Sequence, residues 1–281
     1  MIALDYLGTG AAEGFPGVFC ECPACTKARA AGGKNLKLRS CTLVNDHILI
    51  DLSPDIFPAA LRWGKKLSNV DHIMVTHSHR DHLDLFSLFT RAKGGATILP
   101  GRPPETDQVR LFGNGTVVGL AKAELAEMSE KEQKRILCRE ISLWETVQVG
   151  ELFFTALKAE HKKDEMCYIY SISDGNKHVL YGNDTGSLPE ETFAAIEKAG
   201  ICFDVVSLDC ARGTLPGDGH MGLKEDCQTR KRLMEIGAAG EETRFYLNHF
   251  SHMCGLTPEE FGELAAGEGF TLAWDGMRIE A

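Results

Sequence analysis

The sequence predicts an α/β protein in which helices pack outside a core of two β-sheets. Short apolar runs typical of strands recur along the whole chain, and helical patterns fall between them. The chain is also long enough to bury a large core, since it has 281 residues, of which 43% are hydrophobic and 25% are charged. Helices outside a two-sheet core are the natural packing for this pattern, and we expect a single domain over residues 1–281.

The expected strands are short, apolar and often β-branched. They cover residues 2–7, 42–44, 48–51, 72–76, 152–157, 168–171, 178–181, 203–208 and 244–247. Helical patterns cover residues 54–62, 83–92, 189–199, 223–236 and 258–266. The least regular segment is 101–145, with a charged helical stretch over 121–139. It fits either a cover over a functional site or a surface excursion, because loops tolerate long insertions.

Charge and hydropathy restrict where the chain works and on what. No apolar run approaches the ~20 residues that a membrane span needs, and the first five residues lack the basic start of a secretory signal. We therefore expect a soluble cytoplasmic protein. The formal net charge of −10 argues against a surface that grips nucleic acid through many phosphate contacts, so a small substrate is expected rather than a polymer.

The densest group of potential metal ligands directly follows the apolar run 72–76. It reads His77-Ser78-His79-Arg80-Asp81-His82. In an extended loop His77 and His79 can point to one side, and the following turn can carry Asp81 and His82 to a second position. The loop could therefore ligate two ions, where the bland alternative is a chance polar loop with solvated histidines.

Ten cysteines in a long chain without an export signal favour metal binding or free thiols over disulfides. Three of them, Cys20, Cys22 and Cys25, form a C-x-C-x-x-C cluster that looks like a structural zinc site lacking one ligand. The missing ligand must come from a distant part of the chain.

The H-x-H-x-D-H run after a hydrophobic strand resembles the signature of the metallo-β-lactamase superfamily of hydrolases. The resemblance implies a four-layer αββα sandwich, two mixed sheets flanked by helices, with two metal ions at one edge of the sheets. It also implies further ligands that each follow a strand: His161 beside His77 and His79, Asp184 as the bridge, and His249 beside Asp81 and His82.

Other roles are open for these residues. His161 fits a solvated histidine at a strand end, and Asp184 fits a turn-forming aspartate. Ser187 and Glu190 already supply a capping box for the next helix, so Asp184 is not needed as a cap. Asp51, at the end of the run 48–51, fits equally a carboxylate that orients a metal ligand and a turn residue.

A narrower resemblance rests on several short motifs together. They are Leu7-Gly8-Thr9-Gly10, Gly14-Phe15-Pro16, the cysteine cluster, His220 between glycines, and His249 paired with His252. This combination resembles the phosphoribosyl cyclic phosphodiesterase branch of the superfamily. It implies that His252 closes a structural zinc site with the three cysteines, against reduced thiols near a surface histidine. It also implies that His220 is catalytic, against a surface loop histidine.

The expected activity is metal-dependent hydrolysis of a small cyclic phosphate or similar phosphodiester. Two ions bridged by a carboxylate hold a shared water, lower its pKa and stabilise the charge that develops during displacement. Asp81 and His220 are the candidate catalytic residues. Nitrogen and oxygen ligands suit zinc, manganese or iron, whereas the cysteine cluster favours zinc. Relatives suggest a homodimer.

Two other functions compete with this one. The same water could attack a carbonyl ester, lactone or thioester. A non-enzymatic metal- or ligand-binding role is the third hypothesis, because the Gly14-Phe15-Pro16 run and the zinc site also resemble the B-type proteins of pyrroloquinoline quinone biosynthesis, which lack the full dinuclear motif. The metal loop resembles that of ribonuclease Z, but the chain has no long basic, glycine-rich arm for transfer RNA.

Overall fold

Two seven-stranded sheets lie face to face in the computed structural model, which describes residues 1–93 and 107–281. A central apolar layer is shared by the two sheets, and a further apolar layer lies on the outer face of each sheet, under the helices. The predicted α/β class and the αββα sandwich are therefore confirmed. Within the described residues, the helices are too short or too polar to cross a membrane.

The first sheet mixes antiparallel and parallel pairs. Its strand order is β14 (Arg278–Glu280), β1 (Ala3–Gly8), β2 (Cys41–Val44), β3 (Ile48–Ile50), β4 (His72–Met74), β5 (Val109–Gly113) and β6 (Ile136–Glu140). The strands from β3 to β6 are parallel. Their carboxyl ends therefore meet at one edge, where the segments that follow β3, β4 and β5 lie close together.

The second sheet has the same mixed character. Its order is β13 (Thr271–Leu272), β12 (Arg244–Asn248), β11 (Val205–Asp209), β10 (His178–Gly182), β9 (Tyr168–Ser173), β8 (Leu152–Lys158) and β7 (Thr146–Val149). The strands from β10 to β13 are parallel, whereas β7, β8 and β9 pair antiparallel. Because β8 runs in the same direction as β10, the loops after β8, β10, β11 and β12 open at one edge.

The helices lie between strands in the chain and cover the outer faces. They are α1 (Pro23–Ala31), α2 (Ile56–Arg62), α3 (Leu85–Lys93), α4 (Gly115–Ala126), α5 (Glu130–Gln133), α6 (Glu190–Ala199), α7 (Leu223–Glu235) and α8 (Pro258–Gly267). Asn114 caps α4 by accepting a hydrogen bond from the Val117 amide, and a capping box of Thr257 and Glu260 begins α8.

The prediction for residues 121–139 as one helical stretch is wrong. A capping box of Ser129 and Glu132 begins the short α5, and Ile136 then enters β6, where it is buried against the sheet. A charge-rich local sequence cannot reveal that β6 pairs with β5, because that pairing joins distant residues.

Nor is the segment 101–145 a surface excursion, because it supplies β5 and β6 of the first sheet. The part of the predicted cover that falls on residues 101–106 lies outside the described residues.

Candidate metal centre

The predicted ligands gather at the edge where the strands of both sheets end. The loop His77 to His82 follows β4 in the first sheet, whereas His161, Asp184 and His249 follow β8, β10 and β12 in the second. Asp184 and His249 both have positive φ angles, 54° and 61°, which turn the chain sharply as it leaves its strand. Non-glycine residues in this conformation concentrate at functional sites.

One half of the centre combines three imidazoles and a carboxylate. Potential ligand atoms of His77, His79, His161 and Asp184 all lie within 4.8 Å of one another. Nδ1 of His79 is 2.9 Å from Nε2 of His77 and 3.1 Å from Nε2 of His161. Burial lowers the pKa of His77 to about 4, so this imidazole is neutral at pH 7.

The other half shares Asp184 with the first. Ligand atoms of Asp81, His82, Asp184 and His249 again lie within 4.8 Å of one another. Oδ2 of Asp184 is 3.2 Å from Nε2 of His77 in the first half, and it is 2.9 Å from Nε2 of His82 and 3.7 Å from Nε2 of His249 in the second. A carboxylate in this position can bridge two ions.

Buried ring nitrogens test whether these residues fit metal ions. Among the described residues, Nε2 of His82 and Nε2 of His249 are buried and make no hydrogen bond, although carboxylate oxygens lie nearby. A buried polar atom without a partner costs about 1–3 kcal/mol, and coordination would remove that cost. Seven nitrogen and oxygen donors in two groups that share one carboxylate therefore fit two ions of zinc, manganese or iron.

Asp51 contacts the centre from behind. Its Oδ2 atom lies 2.7 Å from Nδ1 of His82, and its Oδ1 atom accepts hydrogen bonds of 2.8 and 2.9 Å from the Thr76 amide and hydroxyl. Burial by itself would lower the pKa of His82, but Asp51 and Asp81 outweigh it and raise that pKa well above its usual value. Of the two roles left open by the sequence, Asp51 makes the contacts of a residue that orients a ligand.

His220 lies over the centre, and sequence reasoning missed the residue that holds it. Nδ1 of His220 is 3.0 Å from Oδ2 of Asp209, a fully buried carboxylate at the end of β11 whose Oδ2 is also 3.2 Å from Nδ1 of His249. The signal was present, because the predicted strand 203–208 stops just before Asp209. Burial opposes ionisation of His220, but hydrogen bonds to Asp184 and Asp209 dominate and raise its pKa to about 10.

The His220 ring has one nitrogen without a hydrogen-bond partner among the described residues. Within the part of the chain that the structure describes, its Nε2 atom makes no hydrogen bond, and the side chain is 22% exposed. The ring centroid is 5.0 Å from that of His161 and 5.4 Å from that of His249. The Gly219 carbonyl next to His220 lies 3.1 Å from Nδ1 of His161, which leaves Nε2 of His161 facing the centre.

The cysteine cluster forms a second, separate group with His252. Nδ1 of His252 is 3.2 Å from Sγ of Cys20 and 3.9 Å from Sγ of Cys22, and Cys25 completes a group whose ligand atoms lie within 4.8 Å. The Cys25 amide at the start of α1 hydrogen-bonds Sγ of Cys22 and lowers its pKa to about 6. Three sulfurs and one imidazole suit a closed tetrahedral zinc site.

The comparison with protein families decides the family. Residues 46–250 match the model of the beta-lactamase superfamily domain. The match covers more than two thirds of the chain and includes all seven predicted ligands of the metal centre. The chain belongs to the β-lactamase superfamily. The resemblance seen in the H-x-H-x-D-H loop is therefore confirmed, and the chain has the metallo-β-lactamase fold with His/Asp clusters able to bind metal.

Solved structures share this superfamily fold along their full length. A new diphosphatase from the PhnP family has a TM-score of 0.73 and 24% identity, with 100% of this chain and 98% of that chain covered. Zinc-bound PqqB from Methylobacterium extorquens has a TM-score of 0.67 and 15% identity, with 99% and 100% covered. At these identities the similarity shows the fold.

One curated protein matches a segment of this chain. An octanoyltransferase of Porphyromonas gingivalis is 35% identical over 81 residues, which are 27% of this chain and 15% of the octanoyltransferase. The chain thus spans well under a quarter of the length of that relative.

Proposed function

We propose that this protein is a phosphodiesterase that hydrolyses a small cyclic phosphate or a similar phosphodiester. The observation that carries the proposal is the pair of His220 and Asp209 beside a two-part cluster of nitrogen and oxygen donors. Such a pair can protonate a leaving alkoxide, which is the group that departs when an alkyl phosphodiester is cleaved. The similarity to a diphosphatase of the PhnP family supports hydrolysis at phosphorus.

The residues of the site have two roles, because some would hold the metal ions and others transfer a proton. His77, His79 and His161 would hold one ion, Asp81, His82 and His249 the other, and Asp184 both. When bound, the ions lower the pKa of a shared water and stabilise charge on the phosphate oxygens. Asp51 fixes the orientation of His82 through its Nδ1 atom.

Proton transfer to the leaving group falls to His220. Asp209 holds Nδ1, so Nε2 is the nitrogen that can give its proton to the departing oxygen as the phosphorus–oxygen bond breaks. The imidazole recovers a proton from the water that is consumed, which completes the balance of the hydrolysis. The net charge of −10 supports a small substrate rather than a nucleic-acid polymer.

The test is an assay on bis(p-nitrophenyl) phosphate with protein reconstituted separately with zinc and with manganese. His82→Ala removes a ligand, and His47→Ala, which lies in a surface ion pair with Glu151, is the matched control. We expect metal-dependent turnover in the parent and the control and none in His82→Ala. Faster turnover of p-nitrophenyl acetate or a lactone than of any phosphodiester would replace the proposal with carbonyl hydrolysis.

A further inference from the structure

The loop between β8 and β9 contains a buried carboxylate that the proposed reaction does not use. The side chain of Glu165 is 0% exposed. Its Oε1 atom accepts hydrogen bonds of 2.9 Å from the Ser78 amide and 2.8 Å from Nδ2 of Asn114. Its Oε2 atom accepts from the Ser78 hydroxyl and, at 3.0 Å, from Nζ of Lys162. Four donors therefore surround one carboxylate.

These four donors come from both sheets. Ser78 lies in the loop after β4, and Asn114 follows β5, so both belong to the first sheet. Lys162 and Glu165 follow β8 in the second sheet. Asn114 is itself fixed, because its Oδ1 atom caps α4 and its Nδ2 atom also donates to the Met166 carbonyl at 2.8 Å. Glu165 thus ties the two sheets together at the edge that carries the metal centre.

The tied residues are the immediate neighbours of three ligands. Ser78 lies between His77 and His79, and Lys162 directly follows His161. These are the imidazoles of one half of the centre, two from the first sheet and one from the second. None of the four hydrogen bonds of the Glu165 carboxylate involves Asp81, His82 or His249.

Losing the Glu165 carboxylate would have a specific physical effect. A buried charge is tolerated when it is fully hydrogen-bonded and paired, and the Lys162 ammonium supplies the opposite charge. Without the carboxylate, the Ser78 amide and the Asn114 side chain lose an acceptor. The loop that carries His161 loses both hydrogen bonds between Glu165 and Ser78, which leaves the longer one of 3.3 Å from Nζ of Lys162 to the Ser78 hydroxyl.

We propose that Glu165 is a positioning residue that sets the spacing of His77, His79 and His161 and thereby the affinity for one of the two ions. The inference rests on the dinuclear centre of the proposed function, and not on which bond the enzyme cleaves. Glu165 acts through the ligand loops rather than on substrate. Its loss should lower the affinity for the ion held by His77, His79 and His161. The affinity for the ion held by Asp81, His82 and His249 should not change.

The experiment is a calorimetric titration of protein stripped of its active-site metal with manganese(II) alone. Manganese prefers nitrogen and oxygen donors, so the cysteine cluster does not compete. We compare the parent with Glu165→Ala, Glu165→Gln and the control Lys163→Gln, an exposed residue in the same loop. In Glu165→Ala we expect one site to weaken roughly 10- to 100-fold and the other to keep its affinity.

Glu165→Gln is the conservative variant, and it keeps the inference testable if Glu165→Ala does not fold. The glutamine oxygen can still accept from the Ser78 amide and Asn114, so we expect an intermediate loss of affinity, and Lys163→Gln should match the parent. Electron paramagnetic resonance should show the signal of coupled manganese pairs falling at subsaturating metal in Glu165→Ala. Equal weakening of both sites, or unchanged affinities in folded Glu165→Ala and Glu165→Gln, would overturn the inference.

Absence of phosphodiester turnover in the parent would instead overturn the proposed function, because the titration involves no substrate.

Discussion

The two ring nitrogens of His220 have different surroundings, and this difference defines what the residue can do. Nδ1 lies 3.0 Å from the buried Asp209 carboxylate, whereas Nε2 has no hydrogen-bond partner among the described residues. An imidazole held in this way presents one proton in a fixed direction. This proton matters most for a leaving group that cannot depart as a stable anion.

His220→Ala should therefore have an effect that depends on the leaving group. We expect kcat for an alkyl phosphodiester to fall roughly 10²- to 10⁴-fold, because the departing alkoxide needs a proton. Turnover of bis(p-nitrophenyl) phosphate should fall much less, because p-nitrophenolate leaves without one. Parallel kinetics on the two substrates, with bound metal measured in both proteins, check this. Equal losses on both substrates would assign His220 to substrate binding or metal geometry instead.

At the level of single residues, the sequence was informative where ligand types lie close together or at strand ends. The loop from His77 to His82 could be interpreted directly from its composition. Asp209 was missed although it directly follows a predicted strand. Glu165 could not be assigned, because its contact with Ser78 spans 87 positions. No local pattern distinguishes such a carboxylate from a solvated one.

Helix α7 contains a buried acid with an unusual environment. Among the described residues, neither oxygen of Asp226 has a hydrogen-bond partner. Burial raises its pKa well above the usual 3.8, and the nearby Asp209 and Glu225 charges add to this. The carboxyl is therefore protonated in the folded protein at a pH where the unfolded chain has lost that proton.

Asp226 should make the protein less stable as the pH rises. Because the folded-state pKa is raised, its contribution is fully present below pH 3.8 and is lost above it, with a slope of up to about 1.4 kcal/mol per pH unit. Asp226→Asn, which cannot ionise, should be more stable than the parent at pH 7 and equally stable near pH 4. Urea unfolding at both pH values measures this, and a difference independent of pH would contradict it.

The end of β1 depends on glycine for close packing. A Cβ atom on Gly8 would lie 2.1 Å from the Arg39 carbonyl oxygen, so the backbone would have to move. We expect Gly8→Ala to lower the free energy of unfolding by about 1–3 kcal/mol. The matched control is Gly119→Ala inside α4, where nothing lies within 4 Å and alanine should stabilise by about 0.5–1 kcal/mol. Denaturant curves of both variants check the pair.

Elements could be predicted from the sequence when their periodicity was local. The predictions match β8 to β12 of the second sheet and helices α2, α3, α6, α7 and α8 to within a few residues. They did not include β7, β13, β14 or α1. β5 and β6 were missed because their identity depends on pairing with β4 and with each other, and polar residues such as Arg110 and Glu140 interrupt their apolar pattern. Within the predicted helical stretch 121–139, the charged residues of β6 were mistaken for the continuation of a helix.

For the molecule as a whole, the cysteine cluster joins distant parts of the chain. Cys20, Cys22 and Cys25 lie at the start of α1, whereas His252 follows β12 by a short loop. His252→Ala should remove one zinc per chain and lower the melting temperature, because a structural metal contributes its binding energy to folding. Elemental analysis and thermal unfolding test this, with the exposed Cys202→Ala as the control. Unchanged zinc content would show that the cluster is a group of free thiols.

Both donor groups draw on residues from opposite halves of the sequence, with His249 in one group and His252 in the other. During synthesis on the ribosome, neither group can be complete until residues 249 and 252 have left the exit tunnel. Metal acquired earlier could reach only partial sets of ligands, such as the three thiols or the loop from His77 to His82. A complete set of ligands for either group therefore exists only after the two sheets have met.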